Sequence, residues 1–255
     1  MKTVAVIQAR YGSTRFPGKV LATLVDRPML AHVIDRVSRA ASVDEVVVAT
    51  TEDAADDAVA ALAARCGAGV TRGPVDDVLT RYVLAARQHA ADVVVRITAD
   101  CPLVDPAVID AVVQARADQD VEYASNVEPW TYPDGYDVEV LTSACLEQLD
   151  SDALLPHERE HVTAHVREHP DEYRVASLAA EHDLSWIRLT VDVPEDLARV
   201  AEVLTALPST PPPDLAAVVA YFEAKAALHD QRGLPARDER YRAQRDAALR
   251  KETTG

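Results

Sequence analysis

Two apolar rhythms alternate along the first half of the chain. Short valine-rich runs occur at 4–7 (VAVI), 45–50 (EVVVAT) and 92–97 (DVVVRI). Continuous apolar runs of this length mark strands buried on both faces. Between them the apolar positions return at helical spacing. Within 28–41, Leu30, Val33, Ile34 and Val37 fall at i, i+3, i+4 and i+7. The alanine-rich stretch 53–65 stops near Gly67. A short strand is expected at Val70-Thr71, then a helix to about His89 capped by Asp76 or Asp77. A further helix is expected over 106–117. Four strand–helix alternations predict an α/β fold: a Rossmann-like, doubly wound, mostly parallel sheet with helices on both faces. Ligands of such sheets sit at the carboxyl ends of the strands.

From Val121 the rhythm changes. Residues 123–126 and 136–141 read as two strands joined by an excursion carrying Asp134-Gly135, a turn signal. This is a candidate inserted hairpin that covers the site or pairs two subunits. A short helix is expected over 143–149, a longer one over 156–168, and strands over 173–177 and 186–191. Residues 194–204 read as a helix with proline at N1 and acids in the first turn. Four prolines in 207–213 mark a linker. Residues 214–229 read as a helix. The charge-rich stretch 230–255 reads as a peripheral helix or partly disordered tail. The expected division is a domain over 1–206 with an insertion at about 121–141, a linker over 207–213 and a helical tail over 214–255.

With 255 residues the chain is long enough for a full core, and its aromatic content of 5% makes that core aliphatic. The net charge of −16 argues against nucleic acid and anionic membrane surfaces as partners. An anionic substrate must then be met by local cations against an adverse field. Cys66, Cys101 and Cys145 are widely spaced, as expected of reduced thiols. No run reaches the roughly 18 apolar residues of a membrane span, and no leader pattern precedes the first strand. A cytoplasmic protein is expected.

The first strand breaks into Gln8-Ala9-Arg10-Tyr11-Gly12-Ser13-Thr14-Arg15-Phe16-Pro17-Gly18-Lys19. Arginine offers a planar fork to phosphate oxygens and lysine a point charge. Gly12 and Gly18 permit close backbone approach or positive φ. Three cations within ten residues of so acidic a chain suggest a polyphosphate cradle, against the blander reading of an ordinary loop with surface cations. It is not a Walker A loop, because Val20 stands where Ser or Thr would bind the metal. Asp100 and Asp192 each follow an apolar run. Each suits a magnesium ligand completed by substrate phosphates. Asp100 also reads as a turn aspartate, and Asp192 as the N-cap of the next helix.

The loop, read as Gln8-Ala9-Arg10-x-Gly12-Ser13-Thr14-Arg15-x-Pro17-Gly18-Lys19-Val20-Leu21, resembles the signature of cytidylyltransferases that activate sugar acids. These are the acylneuraminate and 3-deoxy-manno-octulosonate enzymes, and above all the SpsF-type spore-coat polysaccharide group. The resemblance implies the nucleotide-diphospho-sugar transferase type of fold with a small inserted dimerisation lobe, and a homodimer. It implies that CTP is bound by Gln8, Ala9, Arg10, Gly12, Ser13, Arg15 and Lys19, with Arg72, Gly73 and Asp77 bordering the base. It implies Mg2+ on Asp100 and Asp192, which with Arg10 and Lys19 would be the catalytic set. The pattern N…YPDGxDVEV…EHVT matches the group's acceptor side and implies acceptor contacts from Asn126, Tyr132, Asp134, Asp137, Glu139, Glu160 and His161. That cluster is acidic for an anionic acceptor, so another cation, with Arg188 the candidate, is expected to meet its charge. The implied reaction joins CTP to an acidic small-molecule acceptor. The acceptor is a sugar acid or, as an alternative, a phosphonate or phosphinate intermediate.

Two readings of other classes stay open. His157-Glu158-Arg159-Glu160-His161 fits H-E-x-x-H, the helical zinc-hydrolase pattern, with His165 and His169 extending the same face. The continuation of the longer zinc-protease motif is missing, since Ala164 and Arg167 stand where glycine and histidine would be. The other reading is a catalytically silent nucleotide-binding subunit.

Overall fold

A computed structural model describes residues 1–225 and 242–247. β1 (Thr3–Gln8) leads into the cationic loop and a one-turn helix at Lys19–Leu21. A two-stranded ribbon, β2 (Thr23–Leu24) and β3 (Arg27–Pro28), then delivers the chain into α1 (Met29–Val37). β4 (Glu45–Thr51), α2 (Asp57–Arg65), β5 (Gly69–Gly73), α3 (Val78–Gln88), β6 (Val93–Thr98) and α4 (Pro106–Asp118) follow in alternation. Asp77 caps α3, accepting from Thr80 N at 2.8 Å. Asp105 caps α4 ahead of the N1 proline.

The second half adds β7 (Tyr123–Ser125), β8 (Glu139–Thr142), α5 (Ser143–Asp152), α6 (Pro156–His161), α7 (Ala164–Glu168), β9 (Val175–Ser177), α8 (Pro194–Ala206) and α9 (Leu215–Ala224). Seven strands make one sheet in the order β5-β4-β1-β6-β8-β7-β9. β5, β4, β1 and β6 are mutually parallel, β8 is antiparallel to both β6 and β7, and β9 is parallel to β7. The hairpin strands of the 121–141 region are thus laid into the central sheet beside β6.

Successive side chains of one strand enter opposite layers. Ala5 and Ile7 of β1, with Val95 and Ile97 of β6, pack under α1, α4 and α8. Val4, Val6 and Val94 pack under Leu79, Tyr82 and Val83 of α3 and Leu146 and Leu149 of α5. Burial on both faces is why these strands read as unbroken apolar runs. No described helix is long and apolar enough to cross a membrane.

Two expectations fail. The single helix over 156–168 is two, α6 and α7, because Val162 takes φ 58 and ψ −58 between them. A β-branched residue at positive φ breaks the ladder and turns the second half away. Residues 186–191 do not form a strand, and their one ladder contact is the bridge Asp134–Arg188. Their backbone bonds go to the turn and to the site instead: Asp134 N to Ile187 O at 2.9 Å, Leu189 N to Asp134 O at 2.7 Å and Val191 N to Asp100 O at 2.9 Å. Gly135 makes this possible. It sits at φ 105, and a Cβ there would lie 2.9 Å from the backbone of Leu189 and Thr190. The expected tail over 230–255 lies outside the described residues, apart from a short helical segment at 242–247.

Candidate active site

A cleft of about 310 Å³ opens at the carboxyl ends of β1 and β6, where a doubly wound sheet binds its ligands. The cationic loop forms one wall. Gly18 closes that loop: its N–H bonds Tyr11 O at 2.8 Å, and its φ of 73 starts the turn carrying Lys19. A Cβ on Gly18 would lie 2.8 Å from the Tyr11 ring. Tyr11 N is tied to Asp56 Oδ1 at 2.6 Å, so the loop is anchored at both ends. A Cβ on Gly12 would meet nothing, which leaves room for a ligand against the backbone.

Lys19 is the hinge of the electrostatics. Its ammonium donates to Asp100 Oδ2 at 2.9 Å, to Val191 O at 2.7 Å and to Asp192 Oδ1 at 3.3 Å. Residues 81 and 173 positions apart in sequence from Lys19 thereby share one nitrogen. Burial opposes the lysine's charge, but Asp100 and Asp192 outweigh it and hold its pKa above the ordinary value. Asp100 mirrors this: burial pushes its carboxyl up, and Lys19 and Thr98 draw it below the usual range. Both groups are therefore charged throughout the neutral range. Arg15 completes the group, its guanidinium 2.8 Å from Asp192 Oδ1. Arg10 also lines the cleft, and among the described residues its side chain makes no hydrogen bond or ion pair.

Two carboxylates that converge on one point offer hard oxygen donors, the chemistry a divalent cation such as magnesium accepts. Asp100 and Asp192 each leave about a fifth to a quarter of the side chain exposed, 27% and 19%. The donor set fits such an ion, which Asp100 and Asp192 would hold.

The opposite wall is built from β8, the 134–137 turn and α6. Arg188 reaches three carboxylates: Asp134 Oδ2 at 3.3 Å, Asp192 Oδ2 at 3.0 Å and Asp196 Oδ1 at 2.8 Å. Its guanidinium is engaged in holding Asp192 and the turn, so it does not supply the spare cation expected for an acceptor. Arg96 pairs with buried Glu139, which also accepts from Tyr123 Oη and Thr163 Oγ1, each at 2.6 Å. Burial pushes the Glu139 carboxyl up, and Arg96 and Arg167 more than reverse it. Arg96 and Arg167 both line the cleft, and the buried Arg96 Nε has no hydrogen-bond partner among the described residues. Arg96, Arg167 and Glu139 thus meet on the cleft floor, which Asp137 and Glu160 also line.

The cleft brings together Gln8, Ala9, Arg10, Gly12, Ser13, Arg15, Lys19, Asp100 and Asp192 from the one side and Asp134, Asp137, Glu139, Glu160, His161 and Arg188 from the other. Five expected residues are not among its lining. Asp77 caps α3 and pairs with Arg159 at 2.7 Å. Arg72 bonds Thr51 O and Asp57. Gly73 lets Arg81 pack close, a Cβ there being 3.0 Å from Arg81 Cγ. Asn126 is fully buried, its amide bridging Tyr136 O and Val138 N at 2.8 Å each. Tyr132 belongs to the core. Arg81, Arg96 and Arg167 line the cleft and were missed as site residues, since single arginines inside a strand or helix carry no local signal.

The histidines do not form the H-E-x-x-H geometry. His157 Nε2 lies 3.2 Å from Glu168, while His161 Nε2 lies 2.6 Å from Gln244 Oε1 in the 242–247 segment. Gln244 Nε2 in turn donates to Glu160 Oε2 at 2.6 Å, and Arg242 stacks on Trp130 at 4.5 Å. A segment near the end of the chain thus reaches two residues of the cleft wall.

The chain is similar to known proteins over most of its length. The family described as Cytidylyltransferase matches residues 4–223. The spore coat polysaccharide biosynthesis protein SpsF of Bacillus subtilis is 36% identical over 198 residues, 75% of this chain and 81% of its own length. A 3-deoxy-manno-octulosonate cytidylyltransferase of Anaeromyxobacter sp. is 36% identical over 248 residues, 82% of this chain and 99% of its own. The structure of a cytidylyltransferase from Leptospira borgpetersenii superposes with a TM-score of 0.87 at 32% identity, covering 92% of this chain and all of that one.

Proposed function

This chain belongs to the cytidylyltransferase family, and from that premise we propose that it condenses CTP with an acidic small-molecule acceptor, a sugar acid of the nonulosonate or octulosonate type. An acceptor hydroxyl oxygen bonds to the α-phosphorus, the α–β phosphoanhydride bond breaks, pyrophosphate departs, and the hydroxyl proton is released. The observation that carries this reading is the Lys19 ammonium held between Asp100 and Asp192 beside Arg10 and Arg15. Such a constellation has little to do at neutral metabolites and much to do at a polyphosphate.

Arg10, Arg15 and Lys19 grip the triphosphate, and the backbone at Gly12 and Ser13 closes against it. Asp100 and Asp192 hold a divalent cation, magnesium in this reading. When bound, that ion screens the charge that develops on the phosphorus and the leaving group. Transfer of this kind rests on positioning and electrostatics. Arg188 keeps Asp192 aimed into the cleft. Arg96 and Arg167 meet the acceptor's acid group, and Asp134, Asp137, Glu160 and His161 face its hydroxyls. The relatives named for octulosonate transfer and for spore-coat polysaccharide support the sugar acid. A homodimer is part of the same reading, carried over from the family resemblance.

Pyrophosphate release measured with CTP, UTP, ATP and GTP against a panel of sugar acids and phosphonates tests it. Activity with CTP and a sugar acid is expected. Activity only with another nucleotide, or none with any acceptor, overturns it. The latter would favour the silent subunit.

Gln244 gives a second check. Replacing Gln244 with alanine removes the amide that bridges Glu160 and His161. A hydrogen bond to a charged group contributes about 1.5–3 kcal/mol, so KM for the sugar acid is expected to rise about tenfold or more. KM for CTP should stay unchanged in the same steady-state series. A rise in both, or in neither, would detach the segment from the acceptor end.

A further inference from the structure

The turn at Val162 creates a grouping of its own. Beyond Val162 the chain doubles back, and α7 returns its histidines toward the start of α6. Glu158, His165 and His169 each bring one ligand atom within 4.8 Å of the others. The Glu158 Oε1 to His165 Nδ1 distance is 2.6 Å, and the His165 and His169 rings lie 4.5 Å apart at 39°. Had 157–169 been one helix, Glu158 and His165 would stand seven positions apart and point along it.

We propose that Glu158, His165 and His169 form a structural site for a transition-metal dication, zinc first, that clips α6 to α7. Three observations on the structure carry it. The donor set is one carboxylate and two imidazoles, which suits zinc rather than magnesium or calcium. Tetrahedral zinc with ligand bonds near 2.1 Å spaces its ligands about 3.4 Å apart, so a small opening of the Glu158–His165 pair and a small closing of His169 suffice. The other Glu158 oxygen is already fixed, accepting from Leu155 N at 2.7 Å. An outer hydrogen bond of that kind holds a ligating carboxylate in place. The groups that face the cluster are compatible with a dication. Glu172 stands 3.8 Å from His169 Nδ1, and the Tyr173 ring packs edge-on against His165. His169 is 45% exposed at its side chain, which leaves a fourth position for water.

The consequence reaches the cleft. Glu160, His161 and Thr163 lie on the turn that the clip would hold, and all three line the cleft. The metal therefore rigidifies the wall without touching it. Its ligands are different residues from the Asp100 and Asp192 proposed for the cleft cation, and it does not depend on which acceptor the protein uses.

The test is zinc binding to the full chain by calorimetry, with magnesium present in large excess to occupy the oxygen site, and no acceptor or nucleotide added. Wild type is expected to bind one zinc and to unfold at higher temperature with it. His169→Ala, a substitution at a half-exposed residue, should weaken that binding by about 100-fold or more, since even outer-shell changes cost 10–100-fold. Asp100→Asn should leave it unchanged. Cobalt in place of zinc should show the visible spectrum of tetrahedral nitrogen and oxygen ligation in wild type and lose it in His169→Ala. Absence of zinc binding in wild type overturns the proposal, as does binding that survives His169→Ala or disappears in Asp100→Asn.

Discussion

Asp100→Asn is expected to lower pyrophosphate release by about 1,000-fold or more while the protein folds as before. The carboxylate is partly exposed at 27%, and the variant keeps its size and the turn around Thr98. Two electrostatic roles are lost together. One is the anion beside Lys19, and the other is half of the oxygen pair proposed to hold the cation. The two can be separated. If the carboxylate serves the cation, the metal concentration for half-maximal activity rises steeply in the variant, and calorimetry shows weaker manganese or magnesium binding. If it only anchors Lys19, the metal dependence is unchanged and Lys19→Met reproduces the loss. Full activity in Asp100→Asn would remove the carboxylate from the proposed chemistry.

Arg188→Met is expected to cost about 3 kcal/mol of stability, at the low end of the 3–5 kcal/mol for breaking a buried ion pair from one side. The low end applies because Asp196 keeps other donors: Arg199 at 3.2 Å and the N–H of Asp192 and Val193. Asp134 and Asp192 lose the guanidinium they share. The cost should appear as a lower urea midpoint at constant slope. A second effect accompanies it at the site, because Asp192 loses the contact that aims it. Catalysis should fall even under conditions where the variant is fully folded. A conservative Arg188→Lys should not rescue, since an ammonium cannot span three carboxylates as a planar fork does. An unchanged midpoint would show that the three carboxylates are solvated well enough to stand alone.

Strands β1, β4 and β6 were legible because burial on both faces leaves three or four apolar residues in succession, and a pattern that local survives any tertiary detail. Asp77 as a cap was legible for the same reason, since capping acts within three residues. Two carboxylates at strand ends could be singled out, yet nothing in the residues themselves said that they meet. The 156–168 helix was misread because its histidines recur at four-residue spacing on both sides of Val162, and spacing does not register one residue turned to φ 58. The 186–191 run was misread because its backbone is satisfied by a distant turn at Gly135 and by the carbonyl of Asp100. Arg188 looked like a free cation because its three partners are fixed by that same threading.

By itself, then, the amino-acid order determined the layered α/β scaffold, the cationic loop on its first strand and the acidic residues available to face it. These follow from periodicity and short-range hydrogen bonding, which act over a few residues. Tertiary structure alone decided that Lys19 is shared by Asp100 and Asp192, that Arg188 is bound up with three carboxylates while Arg96 and Arg167 line the floor, and that Gln244 reaches the opposite wall. Those outcomes depend on which groups long-range packing removes from water and sets within hydrogen-bonding distance, and such distances are not written in any local stretch of chain.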